Sequence, residues 1–149
     1  DDNMNYTFKE NQLDYETYYI LRKSVKWNNW SKEQAEIALK NSYYTVTVFD
    51  NTVAIGMGRV VGDGIYFMIM DIVVKPEYQR MGIGSTIIHM LLEHIEKNMC
   101  VGSRVSVQLI SEPDKEQFYI KLFYIKQGFK LIPHEYCGPA LRKVIYKKG

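Results

Sequence analysis

Two glycines stand one residue apart in the segment Gln79-Arg80-Met81-Gly82-Ile83-Gly84-Ser85. An apolar run precedes the segment and a stretch with helical spacing follows it. That placement suits an anion. The first N–H groups of a helix have no internal acceptor and point outward. Aligned peptide dipoles give them partial positive charge. Without side chains at Gly82 and Gly84 a phosphate can approach the backbone closely. Such a site needs no lysine, and Arg80 can add a charge-assisted contact. The expected chemistry is the cradling of a phosphate or pyrophosphate. The plainer alternative is that two glycines merely open a helix.

Rival phosphate motifs fit less well. A Walker loop ends Gly-Lys-Ser/Thr, whereas this segment ends Gly82-Ile83-Gly84-Ser85. A dinucleotide fingerprint needs a third glycine, a βαβ setting and an acidic residue about twenty positions on. The expectation is that this stretch has neither a third glycine at the right place nor such a βαβ setting.

The elements that must position the loop can be read on either side of it. Ile65–Val74 is almost wholly apolar, which predicts a strand buried on both faces. Pro76 ends it, since proline cannot donate to a ladder. From Gly82 to Asn98, Ile83, Ile87, Ile88, Leu91, Leu92 and Ile95 form one wide stripe, which predicts a helix. Upstream, Asn5–Lys9 is a short strand. Asp14–Ser24 has helical spacing, with Leu13, Tyr18 and Leu21 on one side. Ser31-Lys32-Glu33-Gln34 is a capping box that opens a helix to about Asn41. Tyr43–Phe49 and Val53–Val61 are strands separated by the turn Asp50-Asn51, with a second turn at Gly62-Asp63-Gly64. Downstream, Arg104–Ile110 is a strand and Glu116–Gln127 an apolar helix that stops at Gly128. Leu141–Tyr146 is a last strand. This order predicts a mixed α/β (α+β) domain around one central sheet.

Here the chain resembles a known family. Val73-Val74-x-Pro76-x-Tyr78-Gln79-x-x-Gly82-Ile83-Gly84 is similar to motif A of the GNAT superfamily of N-acetyltransferases. Phe123-Tyr124-x-x-x-Gly128-Phe129 resembles its motif B, and the element order matches over the whole chain. The resemblance implies a single GNAT-fold domain, with a mostly antiparallel sheet, splayed middle strands and flanking helices. It implies acetyl-CoA as co-substrate, no metal, and transfer to a primary amine. The acceptor would be a small molecule such as an amino acid, a polyamine or an amino sugar, or a peptide or protein α-amine.

Roles follow residue by residue. The loop residues Gln79, Arg80, Met81, Gly82, Ile83, Gly84 and Ser85 would hold the pyrophosphate. The backbone of Ile72, Val73 and Val74 would pair with the pantetheine arm as if it were a strand. The Val74 amide would stabilise the oxyanion. A motif B tyrosine would protonate the departing thiolate. Counting back from Gly128-Phe129 gives Tyr124, and counting forward from the preceding strand gives Tyr119. On a helix the two would face about 140° apart, separated by about 7.5 Å along the axis.

Asp71, alone in an apolar strand, needs a partner or a purpose. It either receives the amine proton through water or is a buried carboxylate that fixes a neighbouring loop. Glu112 is a weaker base. Met68-Ile69-Met70 stands where some members carry an acidic residue, which argues against a direct carboxylate base. Tyr18, Trp27 and Trp30 either line the acceptor pocket or belong to the core. Arg59 either holds a substrate carboxylate or pairs with Asp63.

Composition bounds the alternatives. The 149 residues suit one domain. A formal net charge of +2 is no polybasic footprint, so nucleic acid is not the expected partner. No apolar run is long enough to span a bilayer. The first residues are acidic and polar, unlike a signal peptide. Asp1-Asp2-Asn3 precede Met4, and the expectation is a cloning remnant at 1–3 with the domain running 4–149. Cys100 and Cys137 are too few for a disulfide framework or a zinc set. They read as reduced thiols in a cytoplasmic protein. His89 and His94 read as surface residues of one helix, and His134 has no assigned role. A homodimer is compatible with the resemblance. Two other readings remain: a non-catalytic acyl-CoA-binding module that regulates a partner, and a phosphate-loop nucleotide enzyme.

Overall fold

The computed structural model describes residues 6–113 and 126–149. The chain divides into two compact units, Asp1–Ile110 and Ser111–Gly149. The first holds β1 (Tyr6–Glu10), α1 (Tyr15–Ser24), α2 (Lys32–Lys40), β2 (Tyr44–Asp50), β3 (Val53–Gly62), β4 (Tyr66–Val74), a 3-10 turn at Pro76–Tyr78, α3 (Ile83–Lys97) and β5 (Ser106–Leu109). The strands form one mixed sheet in the order β1-β2-β3-β4-β5. β1 to β4 pair antiparallel, and β5 joins β4 in parallel. A parallel partner requires a crossover, and α3 lies in that connection.

Local chemistry explains the helix boundaries. Asp14 caps α1 by accepting from the Thr17 N–H at 2.9 Å. Ser31 caps α2 by accepting from the Gln34 N–H at 3.2 Å. α3 buries Ile83, Ile87, Ile88, Leu91 and Ile95 against one face of the sheet. Each such side chain contributes about 1.5–3 kcal/mol when fully buried. Gly58 permits the approach: a Cβ there would lie 2.5 Å from Ile87 Cγ2 and 2.7 Å from Ile72 Cδ1. On the opposite face Leu13, Tyr18, Leu21, Ala35, Met57 and Val73 form a second apolar layer with α1 and α2.

The sheet register changes within β4. Ile69 pairs with Val60, on the α3 side, and Ile72 also lies on that side beside Gly58. In an unbroken strand, residues three apart would face opposite ways. The extra residue is Asp71, with φ of 54°, where the pairing slips between Met57 and Arg59. It is a β-bulge. Regular alternation from Phe67 and Ile69 would have sent Asp71 into the apolar layer under α3. The bulge turns it toward α1 instead.

Four expectations are corrected. The loop does lie in a βαβ setting, since α3 connects β4 to its parallel partner β5. Ile65–Val74 is not buried on both faces: Phe67, Ile69 and Val73 are buried, Met68, Met70 and Ile72 are half-buried, and Ile65 and Tyr66 are exposed. The α3 layer lies under Phe67 and Ile69, whereas α1 reaches the other face at Asp71 and Val73. His94 is not a free surface residue. Its ring stacks on Tyr44 at 3.8 Å and meets the edge of Tyr43 at 5.5 Å, because β2 presents Tyr44 toward α3. His89 is exposed and lies 3.2 Å from Glu93. Leu141–Tyr146 forms no strand and is exposed. Its β-favouring composition expresses packing against neighbours, and no described residue pairs with it.

In the second unit, His134 and Cys137 exchange backbone hydrogen bonds of 2.8 and 3.1 Å around a tight turn. Gly128 has φ of 81°, as a helix-ending glycine should. The helix expected at Glu116–Gln127 lies outside the described residues except for Lys126 and Gln127, which are helical. Among the described residues no helix is long and apolar enough to cross a membrane. No group of three or more His, Cys, Asp or Glu among them could hold a metal ion.

Candidate functional site

The loop between β4 and α3 is held open by backbone geometry. Arg80 has φ of 67° and Gly82, the N-cap of α3, has φ of 82°. No side chain caps the helix. Among the described residues the N–H groups of Arg80, Met81, Gly82, Ile83 and Gly84 have no protein acceptor. Ser85 has a partner of its own. A Cβ added at Gly82 would meet nothing within 4 Å, and one at Gly84 would touch only Val74 Cγ2 at 3.8 Å. Packing therefore does not require either glycine. What remains is a run of donors, with room at both glycines, at the positive end of a helix. These residues fit an anionic pyrophosphate.

The loop is tethered on both sides. Gln79 Nε2 donates to the Val74 carbonyl at 2.9 Å. Tyr78 Oη donates to Asp50 Oδ2 at 2.7 Å. Because the Asp50 carboxylate holds its proton, Tyr78 is pushed up to about 12. Tyr6 meets Tyr78 edge-on at 5.9 Å and donates to Met81 Sδ at 3.4 Å.

β4 offers an open edge beside the loop. Its ladder with β5 runs from Tyr66↔Ser106 to Ile69↔Leu109 and stops where the bulge begins. On the other side, the Lys75 N–H donates to the Ile55 carbonyl at 2.8 Å. Antiparallel alternation then points the Val73 groups toward β3, and those of Ile72 and Val74 away from it. The backbone of Ile72 and Val74 thus faces the side that β5 has left.

Asp71 lies on the α1 face with both oxygens engaged. Tyr18 Oη donates to Oδ2 at 2.8 Å. Arg59 Nε donates to the same oxygen at 2.8 Å. Arg22 Nη1 donates to Oδ1 at 2.5 Å. The three charged side chains are about nine-tenths buried. Arg22 also donates to the Asn28 carbonyl at 2.6 Å, and Arg59 Nη1 to Ser42 Oγ at 3.2 Å. Tyr18 is raised above the ordinary tyrosine value, first by burial and then by the Asp71 charge. Asp71 is thus a hydrogen-bonded carboxylate whose partners bind α1 to the sheet.

Arg59 does not pair with Asp63. Asp63 instead accepts from the N–H groups of Ile65 and Tyr66, both at 2.9 Å, which hold its carboxyl below the usual range. Of the aromatic candidates, Tyr18 is buried in the core. Trp27 is half-buried and packs on that core, and Trp30 is half-exposed. Both indoles lie against the Arg22 guanidinium, at 5.1 and 5.7 Å. Tyr119 and Tyr124 lie outside the described residues, and Glu112 falls in the second unit. Sequence reasoning missed Arg22. The signal was present, since Arg22 follows Tyr18 by four residues and so shares its buried helix face.

The chain is similar to known proteins over this arrangement. Residues 40–131, more than half of its length, match the family model described as acetyltransferase (GNAT) domain. The uncharacterized N-acetyltransferase ycf52 of Pyropia yezoensis is 32% identical over 108 residues, covering 69% of this chain. That of Porphyra purpurea is 30% identical over the same share. The aligned region spans 60% of the length of each of these relatives. A GNAT family acetyltransferase from Streptococcus pneumoniae superposes with a TM-score of 0.74 at 28% identity, covering 93% of this chain and 98% of that one. A Staphylococcus aureus protein of unknown function, described as a probable acetyltransferase, gives 0.74 at 30% identity, over 93% and 99%. With the open donor loop at the N-terminus of α3 and the bulged β4 beside it, these matches establish that the chain belongs to the GNAT acetyltransferase domain family.

Proposed function

We propose that the protein transfers the acetyl group of acetyl-CoA directly to a primary amine in a ternary complex. The observation that carries this reading is the row of acceptor-less N–H groups at Arg80–Gly84, set beside the open edge of β4. The loop amides and Arg80 would bind the pyrophosphate. The Ile72 and Val74 edge would hold the pantetheine arm in extended form. The Val74 N–H would stabilise charge on the thioester oxygen. The nitrogen of the neutral amine forms the new C–N bond and gives up one proton to water, the C–S bond breaks, and the thiolate takes a proton. Tyr124 is the favoured proton donor and Tyr119 its rival.

Asp71 serves in this reading as a positioning residue. A general base needs a lone pair open to the incoming proton, and internal donors already engage three of the about four lone-pair sites of the Asp71 carboxylate. The acceptor would be a small amine, with a peptide or protein α-amine as the next choice. A cytoplasmic setting and a homodimer belong to the same proposal.

The test is release of free thiol from acetyl-CoA with a mixed panel of amines. Release that depends on the amine supports transfer. Binding of CoA without thiol release under any acceptor would instead make the chain a non-catalytic acyl-CoA-binding module. Stabilisation of the fold by ATP and not by CoA would point to a nucleotide enzyme.

A further inference from the structure

The cluster around Asp71 has an excess of donors that the fold does not use. Among the described residues two guanidinium groups face one carboxylate, which leaves one positive charge there in a setting about nine-tenths buried. A buried charge without a counter-charge is costly. Arg22 Nε is fully buried and has no partner among the described residues. Arg59 bonds through Nε and Nη1, while its Nη2 has no acceptor among the described residues and is not sealed from solvent. Arg59 pairs across the sheet with Met70, and Val61 with Met68. These neighbours are half-buried, so the arginine sits at the inner end of an apolar strip.

We infer that this unspent guanidinium charge is a binding site for a carboxylate on the acceptor, with Arg59 Nη2 as its donor, so that the acceptor is an amino carboxylate. The inference rests on the acetyl-transfer reading and names the substrate class within it. Geometry supports the assignment. Asp71 and Val74 are three residues apart on one strand, about 10 Å between their backbones, so the charge held by Asp71 lies on the order of 10 Å from the proposed thioester position. An amine and a carboxylate on one small molecule can span that distance. A polyamine would instead bring a second positive charge toward the guanidinium, at a cost, and an unmodified amino sugar would offer it only neutral hydroxyls.

The acceptors to compare are matched: α-amino acids and ω-amino carboxylates from glycine to 6-aminohexanoate, each against its primary amide and its decarboxylated amine. The wild-type enzyme should favour the carboxylate by about tenfold to a hundredfold in kcat/KM, the range of one charged hydrogen bond. Arg59→Gln should abolish the preference and Arg59→Lys should keep part of it. Equal turnover of acid and amide, or an undiminished preference in Arg59→Gln, would overturn the inference. A second readout needs neither a variant nor turnover. Trp27 and Trp30 are the two tryptophans of the chain, and both lie against Arg22. Their fluorescence should change saturably with unreactive N-acetyl-β-alanine, at a Kd about tenfold or more below that of its amide. Equal responses to the two compounds would count against the site. If no amine is acetylated, the proposed activity fails, and the fluorescence titration still decides the carboxylate site.

Discussion

Tyr18 of α1 donates its hydroxyl to Asp71 Oδ2 at the bulge of β4, across 2.8 Å. This bond joins the first helix to the strand that leads into the donor loop. Arg22 and Arg59 complete the joint from either side. The bulge is what makes it available, because regular alternation would have pointed Asp71 at the isoleucines of α3.

Replacing Asp71 by Asn should therefore cost stability before it costs chemistry. Removing one partner of a buried ion pair leaves an uncompensated charge, worth about 3–5 kcal/mol. Denaturant unfolding should show that loss. The activity of the surviving folded enzyme should keep the wild-type pH profile. A profile that loses its low-pH limb while the stability is unchanged would assign Asp71 the base role instead.

Tyr18→Phe is milder. It deletes one donor to a carboxylate that still has Arg59 and Arg22, so the cost should be about 1–3 kcal/mol, read as a shift in the urea midpoint.

The glycines of the loop should separate fold from binding. Gly84 lies in the first turn of α3, and a Cβ there meets nothing tighter than 3.8 Å. Gly84→Ala should stabilise the protein by about 0.5–1 kcal/mol while raising the KM for acetyl-CoA. Gly82→Ala should raise the same KM and also destabilise, since its φ of 82° costs a side-chain residue about 1–2 kcal/mol. Thermal melts and CoA titrations on the two variants check both signs. An unchanged affinity in Gly84→Ala would remove the loop from the cofactor site.

Alkaline stability should depend on the tyrosines. Tyr18 and Tyr78 both have folded-state values raised above 10, Tyr78 to about 12. The unfolded chain loses these protons from about pH 10, while the folded state keeps them. The unfolded state then binds fewer protons, so stability falls as pH rises. It should be fully present below about pH 10 and decline toward pH 12. Tyr78→Phe should flatten that slope. It should also raise the KM for acetyl-CoA, because the tether from the loop to Asp50 is gone.

Separate Tyr119→Phe and Tyr124→Phe variants test the proton donor. The residue that protonates the thiolate should lose about 10²–10⁴-fold in kcat. If neither change slows transfer, no tyrosine at these positions acts as the acid.

The sequence by itself determined most of the framework. Amphipathic periods, caps at Asp14 and Ser31, and the pair Gly82 and Gly84 depend on local chemistry, and local chemistry is written in adjacent residues. The start of α3 was legible for that reason: an apolar strand, a proline and two glycines suffice to predict a turn and a helix that opens at Gly82. Tertiary structure decided what depends on partners distant in the chain. Asp71 could be seen as a carboxylate needing company, but its company comes from positions 18, 22 and 59, on three stretches that only folding brings together. A shift of one residue in β4 chose its face, and sheet register is set by pairing with β3, not by the strand's own composition. Leu141–Tyr146 shows the same limit from the other side. It has the residues of a strand, but a strand exists only where another backbone accepts its hydrogen bonds.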